Sequence, residues 1–143
     1  MPTRKCVGVV LYNNGGKIFF MSSPKWKAWI VPGGGIEGGE TAEQTLRREV
    51  KEELGIEITD IVYIGEKIKP PSKDFKDPTM TFHFFEFSAK ACSTKITPNE
   101  EISEYDWFTE EEALKLNLMK ETRGLLEKYI EYKSKNLTSK SKP

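Results

Sequence analysis

The sequence predicts one α/β (α+β) domain in which a mixed β-sheet lies between helices. Two observations lead to this prediction. The 143 residues, of which 37% are hydrophobic, suffice for one core but not for two. Segments with strand-like and helix-like hydrophobic spacing follow one another without strict alternation, which favours a mixed sheet covered by helices on both faces.

The N-terminal segment predicts a β-hairpin followed by a long loop. Residues 6–12 are apolar and β-branched, residues 13–16 are two asparagines and two glycines, and residues 17–21 are apolar again. Asparagine and glycine tolerate the positive φ angles of tight hairpin turns. Residues 22–39 contain two prolines and five glycines, so we expect a loop with at most a short strand at residues 29–31.

The clearest helix follows this loop. Thr41 and Gln44 have the spacing of a capping box, and Gly55 is a typical residue directly after a helix. Between them, apolar residues recur every four positions: Ala42, Leu46, Val50 and Leu54. This period predicts a helix with one apolar face.

The C-terminal half predicts three further strands. Residues 56–68 form a predicted strand with interruptions, and residues 79–91 form a long aromatic strand, with the polar loop 70–78 between them. After a loop at residues 98–103, residues 104–108 predict a short strand.

Two helices and a polar tail complete the chain. Thr109 and Glu112 repeat the capping-box pattern, and residues 125–132 carry apolar side chains at helical spacing. The remaining residues are mostly serine, lysine, asparagine and threonine, which bury too little apolar surface to pack. We therefore expect a folded domain at residues 1–132 and a basic, disordered tail at residues 133–143.

The charge balance conceals an acidic domain. The chain has 22 basic and 22 acidic residues, so its formal net charge is zero and indicates no polyanionic or polycationic partner. The tail contributes four lysines and no acid. Without them, 18 basic groups stand against 22 acidic ones.

No apolar run approaches the ~18 residues of a membrane span. We therefore expect no membrane partner. The two cysteines lack the spacing of a zinc site or a disulfide scaffold, so we expect a cytoplasmic protein.

Three of the surplus acids share one face of the predicted helix. At about 100° per residue, Glu53 lies roughly 40° and Glu52 roughly 300° from Glu49. Glu49 and Glu53 are like charges four positions apart, which destabilise a helix unless a cation lies between them. Carboxylate oxygens suit Mg²⁺ or Mn²⁺. On charge pattern alone, a solvated Glu-rich surface helix is an equal alternative.

The glycine-rich loop and this helix together resemble a known motif. Residues 34–56 read GGIEGGETAEQTLRREVKEELGI, which matches the Nudix box G-x5-E-x7-R-E-U-x-E-E-x-G-U at every defined position. The matching residues are Gly34, Glu40, Arg48, Glu49, Val50, Glu52, Glu53, Gly55 and Ile56. With the similar flanking segments 29–34 and 104–108, the resemblance covers residues 5–132. It implies the Nudix fold, an α/β/α sandwich.

The resemblance also implies a divalent-metal site with Mg²⁺ as cofactor and Mn²⁺ as an alternative. Glu49 and Glu53 correspond to the principal ligands, Glu52 to a further ligand or base, and the carbonyl of Gly33 to a backbone ligand. Arg48 would orient these acids by charge-assisted hydrogen bonds. Glu40 would brace the loop against the start of the helix.

Two further groups of site residues are predicted. The family draws its general base from the helix or from a later loop, so Glu52, Glu100 and Glu101 all remain candidates. Candidate substrate contacts are Arg4 and Lys25 for phosphate, the backbone at Gly34 and Gly35, and Trp26 and Trp29 for stacking on a base or packing on the core. His83, within the aromatic strand, is interpreted as a structural histidine.

The implied reaction is Mg²⁺-dependent hydrolysis of the diphosphate bond in a nucleoside diphosphate linked to another group, by attack of a metal-activated water on phosphorus. The expected partner is a nucleotide-type small molecule, not a nucleic acid, bound by a monomer or a homodimer. Four substrate classes remain open. Pro71 lies at a position similar to that in ADP-ribose pyrophosphatases, and the segment around Trp29 is similar to that of diphosphoinositol and dinucleoside polyphosphate hydrolases. Gly35 stands where enzymes for oxidised nucleoside triphosphates often carry lysine.

Two hypotheses of another kind also remain. Some proteins with a Nudix fold bind nucleotides without cleaving them, although these usually lose one of the helix acids, and here all three are present. A decapping-like hydrolase would use the four tail lysines as an RNA-binding arm, but these lysines have no aromatic residues between them.

Overall fold

The computed structural model describes residues 2–22, 24–25, 27–74 and 76–140, the last four by their backbone alone. This part of the chain forms six strands and three helices. In chain order they are β1 Thr3–Tyr12, β2 Ile18–Ser22, β3 Gly33–Gly35, α1 Ala42–Leu54, β4 Ile58–Lys69, β5 Thr81–Ala91, β6 Glu104–Phe108, α2 Glu110–Leu114 and α3 Lys120–Lys140. The predicted hairpin, first helix and three later strands are therefore confirmed.

The strands form one mixed sheet in the order β4-β5-β1-β2-β6. β1 and β5 are parallel, whereas the other pairs are antiparallel. Both β2 and β3 pair with β1. β2 pairs with it at Tyr12, and β3 pairs with it along Cys6–Gly8. This pairing places the glycine strand β3 beside the beginning of β1.

Helices cover both faces of the sheet because successive side chains of β1 point to opposite faces. Val9 packs with Leu46 and Val50 of α1 in one apolar cluster, whereas Val10 packs with Leu126 of α3 in another. All five side chains are fully buried, and burial of each stabilises the fold by roughly 1.5–3 kcal/mol. The three-layer α/β/α arrangement is the predicted one.

Both capping boxes form as predicted. At the start of α1, the backbone N–H of Gln44 donates to Thr41 Oγ1 at 3.1 Å, and the N–H of Thr41 donates to Gln44 Oε1 at 2.9 Å. Gly55 ends the helix in the left-handed region with φ 71°, and its N–H donates to the carbonyl of Lys51 at 2.9 Å. Thr109 and Glu112 form the same pair of bonds before α2.

Two parts of the fold differ from the sequence prediction. The strand near residues 29–31 is reduced to single bridges at Trp29 and Ile30, and the regular strand is β3, where we expected loop. The last helix continues to Lys140 and so includes residues 133–140, which the sequence places in the polar tail. Lys133 explains part of this extension, because its ammonium pairs with Glu110 and lies 5.3 Å from the Tyr129 ring centre.

Residues 141–143 of the predicted tail, and Trp26, lie outside the described residues. Cys6 is half-buried and Cys92 is exposed, and both are free thiols. Within the described part of the chain, no helix is long and apolar enough to cross a membrane.

Candidate active site

The candidate site lies where β3 passes between β1 and the C-terminal half of α1. Gly33 pairs with Gly8, and a Cβ atom at Gly33 would lie 2.2 Å from the carbonyl oxygen of Val7. Backbone cannot move away from such a contact, so only glycine fits at this position. This close approach lets the glycine strand lie against the acidic face of α1.

Gly34 lies directly beside one of the helix acids. A Cβ atom at Gly34 would lie 2.3 Å from Cδ of Glu49. The absent side chain therefore creates the space that the Glu49 carboxylate occupies. Glu49 is nearly buried as a result, with 17% of its side chain exposed.

Arg48 connects the loop to the helix acids. Its Nε donates to Glu40 Oε2 at 2.7 Å and its Nη2 to Glu40 Oε1 at 3.0 Å, which is a bidentate pair. Its Nη1 donates to Glu49 at 2.9 Å and to Glu52 at 3.3 Å, and its Nη2 also reaches the carbonyl of Gly35 at 3.2 Å. The guanidinium thus fixes two of the three helix acids relative to the glycine strand, as the sequence predicts.

Glu40 is fully engaged on the other side of this arginine. Hydrogen bonds from Arg48, with further bonds from the Glu37 backbone N–H and the Thr45 hydroxyl, lower the pKa of Glu40 to about 2. The bond to Glu40 in turn raises the pKa of Arg48, despite its partial burial. Both groups are therefore charged at every physiological pH.

Glu53 is in the opposite situation. Its Oε2 is buried and is the one buried side-chain oxygen or nitrogen of the described residues that has no hydrogen-bond partner. Burial, the charge of Glu49 and a hydrogen bond with Glu49 raise the pKa of Glu53 to about 9. A buried carboxyl group beside a like charge, with an unpaired oxygen, is the environment that a bound cation stabilises.

The donor set suits a hard divalent ion. In the described part of the chain, no three His, Cys, Asp or Glu side chains are already arranged around one point as an ion requires. However, Glu49, Glu52 and Glu53 offer oxygen atoms only, and Glu53 Oε2 lacks a partner. Carboxylate and carbonyl oxygens are the ligands preferred by Mg²⁺ and Mn²⁺, so these residues fit the implied metal.

A cavity of about 560 Å³ opens from these acids. Seven of the predicted site residues line it: Gly33, Gly34, Gly35, Glu49, Glu52, Glu53 and Glu101. Of the two loop acids, only Glu101 faces the cavity, and its charge contributes to the raised pKa of Glu53. Glu100 is exposed and does not line the cavity.

Of three predicted substrate contacts, two lie elsewhere and one lies at the edge of the site. Trp29 packs edge-on against Phe108, with ring centres 5.4 Å apart. It belongs to the apolar cluster between the sheet and α3. Lys25 is exposed and does not line the cavity. Arg4 lies at the edge of the site, since a Cβ atom at Gly35 would be 2.2 Å from its Nη2 atom.

His83 does not line the cavity either. Its Nε2 contacts Glu66 Oε1 at 2.5 Å, and its ring stacks on Phe85 with ring centres 4.3 Å apart. Both contacts support the interpretation of His83 as a structural residue.

The residues on one side of the cavity were not predicted from the sequence. This side is formed by Cys6, Gly8, Lys67, Phe84, Glu86, Thr122 and Leu125, among others. The available signal was Glu86, a charged residue in the middle of the aromatic strand β5, whereas Lys67 lies near the end of β4 among other charged residues. Their convergence depends on the pairing of β4 and β5 with β1, which no local pattern specifies.

The sequence of this chain is similar to those of known proteins. The NUDIX domain family profile matches residues 2–129. The nucleoside triphosphatase NudI of Enterobacter sp. (strain 638) is 33% identical over 132 residues, which cover 86% of this chain and 94% of that protein. An RNA pyrophosphohydrolase of Dinoroseobacter shibae is 40% identical over 68 residues, 46% of this chain and 42% of that protein.

Solved structures show the same fold. The MutT NUDIX hydrolase of Burkholderia pseudomallei matches with a TM-score of 0.76 and 22% identity over 90% of this chain and 98% of that one. The NUDIX domain of Shewanella oneidensis NrtR, complexed with ADP ribose, matches with a TM-score of 0.75 and 19% identity. The match covers 92% of this chain and 89% of that one.

Proposed function

The chain belongs to the Nudix hydrolase family, and on this basis we propose that it hydrolyses a pyrophosphate bond of a nucleoside triphosphate with Mg²⁺ as its metal. The observation that carries the proposal is the buried pair of Glu49 and Glu53 at one end of an open cavity. The choice of triphosphate is supported by the similarity to NudI, which extends over most of both chains. Mn²⁺ is the alternative metal, because it prefers the same oxygen ligands.

In this proposal, three of the acids bind the metal ion and a fourth supports them. Glu49, Glu52, Glu53 and the carbonyl of Gly33 would hold the ion. When bound, a divalent ion lowers the pKa of a water ligand and neutralises phosphate oxygens. Arg48 keeps Glu49 and Glu52 oriented, and Glu40 keeps Arg48 in place.

Glu101 is the proposed general base. It lines the cavity together with Glu53, whereas Glu100 does not. An ionised carboxylate at the cavity wall accepts a proton from the attacking water. Glu52 is the less favoured candidate because its carboxylate is already held by Arg48.

The substrate would bind with its phosphates against the backbone of Gly34 and Gly35, where the absence of side chains permits close approach. Arg4, at the edge of this strand, is the proposed contact for a terminal phosphate. Lys25 and Trp29 have no part in the proposed binding mode.

The direct test is a hydrolysis panel with product identification. The purified protein is incubated with Mg²⁺ and a nucleoside triphosphate, ADP-ribose or a dinucleoside polyphosphate. We expect nucleoside monophosphate and pyrophosphate from the triphosphate, no turnover with a chelator, and recovery on adding Mg²⁺. Failure to cleave any triphosphate while another substrate is cleaved would contradict the proposal.

A sugar-linked nucleoside diphosphate is the second candidate substrate. It is favoured by the similarity of the fold to the NrtR domain, whose structure holds ADP ribose. In the same panel, this candidate predicts AMP and ribose 5-phosphate from ADP-ribose.

A further inference from the structure

The active-site cavity has a second half that lies far from the Nudix box in the sequence. In this half, β4, β5 and β1 lie side by side, and residues opposite one another in register share a face of the sheet. Two rows cross the face that α3 covers: Lys67, Phe84 and Cys6 in one, and Gly65, Glu86 and Gly8 in the other.

The second row leaves space between the sheet and α3. Glu86 has a glycine on either side, so no neighbouring side chain in its row covers it. A Cβ atom at Gly8 would meet Leu125 only at 3.6 Å, an ordinary contact distance. Phe84 forms an aromatic part of the floor of the cavity, and Thr122 and Leu125 of α3 form its cover.

Glu86 is a buried carboxylate that lines this space. It is 4% exposed and pairs with the ammonium of Lys128, which also donates to the carbonyl of Glu66 at 2.8 Å. In this ion pair the carboxylate accepts hydrogen bonds and donates none. Glu86 therefore offers a ligand an acceptor and no donor.

Lys67 offers the complementary group. It lines the same cavity, and no carboxylate of the described residues lies within ion-pair distance of its ammonium. The nearest acid along α3, Glu121, is paired with Lys69 instead. An ammonium group only donates hydrogen bonds, so Lys67 offers a ligand donors and no acceptor.

We propose that this half of the cavity selects nucleobases in which a ring N–H lies next to a carbonyl group, namely guanine, thymine and uracil. The ring N–H would donate to Glu86, the carbonyl would accept from Lys67, and the ring would lie over Phe84. Adenine has no carbonyl group and cytosine has no ring N–H, so each leaves a charged group of the pocket unpaired. The inference rests on the proposed function in one respect, that the substrate is a nucleotide.

Binding of nucleoside monophosphates tests the inference without hydrolysis. Dissociation constants are measured by calorimetry with Mg²⁺ for dGMP, dTMP, dAMP and dCMP. We expect dGMP and dTMP to bind about 10- to 100-fold more tightly than dAMP and dCMP. Equal affinity for all four, a preference for dAMP or dCMP, or no binding at all overturns the inference. Turnover of the triphosphates is measured separately, so a failure of the proposed reaction is distinguishable from a failure of base selection.

Two variants identify the responsible side chains. Lys67→Met removes the donor without breaking an ion pair, and we expect the base preference to fall below about threefold. Glu86→Gln is expected to do the same, with its fold checked by circular dichroism because Lys128 loses its charged partner. Lys90→Met is the matched control, since Lys90 lies on the same face of β5 as Glu86 but lines another cavity. Wild-type preference in Lys67→Met, or loss of preference in Lys90→Met, overturns the assignment.

Discussion

The two halves of the active-site cavity differ in how their residues are distributed along the chain. The acidic half comes from the strand β3 and the following helix α1, which are neighbours in sequence. The other half comes from β1, β4, β5 and α3, which meet only through long-range pairing. We infer that the contiguous half provides the reaction and the dispersed half provides the choice of nucleotide. Substitutions in the first half should then change turnover, and substitutions in the second should change base preference.

The largest effect is expected from Glu53→Gln. The change keeps the shape of the side chain but removes the charge that would hold the ion, so Mg²⁺-dependent turnover should fall at least about 10²- to 10³-fold. The unfolding midpoint should not fall, because the buried carboxyl group beside Glu49 is replaced by a neutral amide. Initial rates and urea unfolding measure the two quantities.

A matched control for this variant is Glu43→Gln on the same helix. Glu43 is exposed, pairs with Arg47 and does not line the cavity, so wild-type rates are expected. If Glu53→Gln turns over like the wild type, Glu53 is not a metal ligand. If it instead loses base preference, the proposed division between the two halves is wrong.

The next effect concerns the space beside Glu49. In Gly34→Ala, the new Cβ would lie 2.3 Å from Cδ of Glu49, so the carboxylate must move. We expect turnover to fall about 10²-fold, as for other displaced catalytic groups. Gly38→Ala is the control, because a Cβ atom there meets nothing within 4 Å. Equal rates in the two alanine variants would show that the position of Glu49 does not matter.

The acidic half was largely predictable from the sequence, and the reason is physical. A helix with a fixed period places Glu49 and Glu53 on one face whatever the rest of the chain does. The roles of Arg48 and Glu40 were predicted from the resemblance to the Nudix box, in which both positions have a fixed spacing from the helix acids. By contrast, no periodicity links Gly8 of β1 to Glu86 of β5, because parallel strands pair across a long connection.

Two further regions also depend on distant contacts. Residues 133–140 were expected to be disordered from their polar composition, yet Lys133 contacts Glu110 and Tyr129, one of them on a different helix. Trp29 was considered for base stacking, but the neighbourhood of Phe108 determines its packing. In both cases a distant partner overrides the local pattern.

A smaller effect on turnover separates the two loop acids. Glu101→Gln should lower the rate about 10- to 100-fold, because the proposed general base is lost while the metal ligands remain. Glu100→Gln should leave the rate unchanged, since Glu100 is exposed outside the cavity. Rates are compared at saturating Mg²⁺ and triphosphate. The reverse result would assign the base to Glu100, and unchanged rates in both variants would favour Glu52.

The smallest effect is on stability and concerns Glu40, which belongs to the acidic half but contacts no substrate in our proposal. Its pKa of about 2 in the fold lies below the ordinary value of 4.5, so its ionised form stabilises the folded state above pH 4.5. This contribution is lost as the pH falls toward 2. Glu40→Gln should therefore unfold at lower urea concentration than the wild type at pH 7, and the two midpoints should converge as the pH falls from 4.5 to 2. A difference that stays constant over this range would mean that Glu40 acts through shape and not through its charge on Arg48.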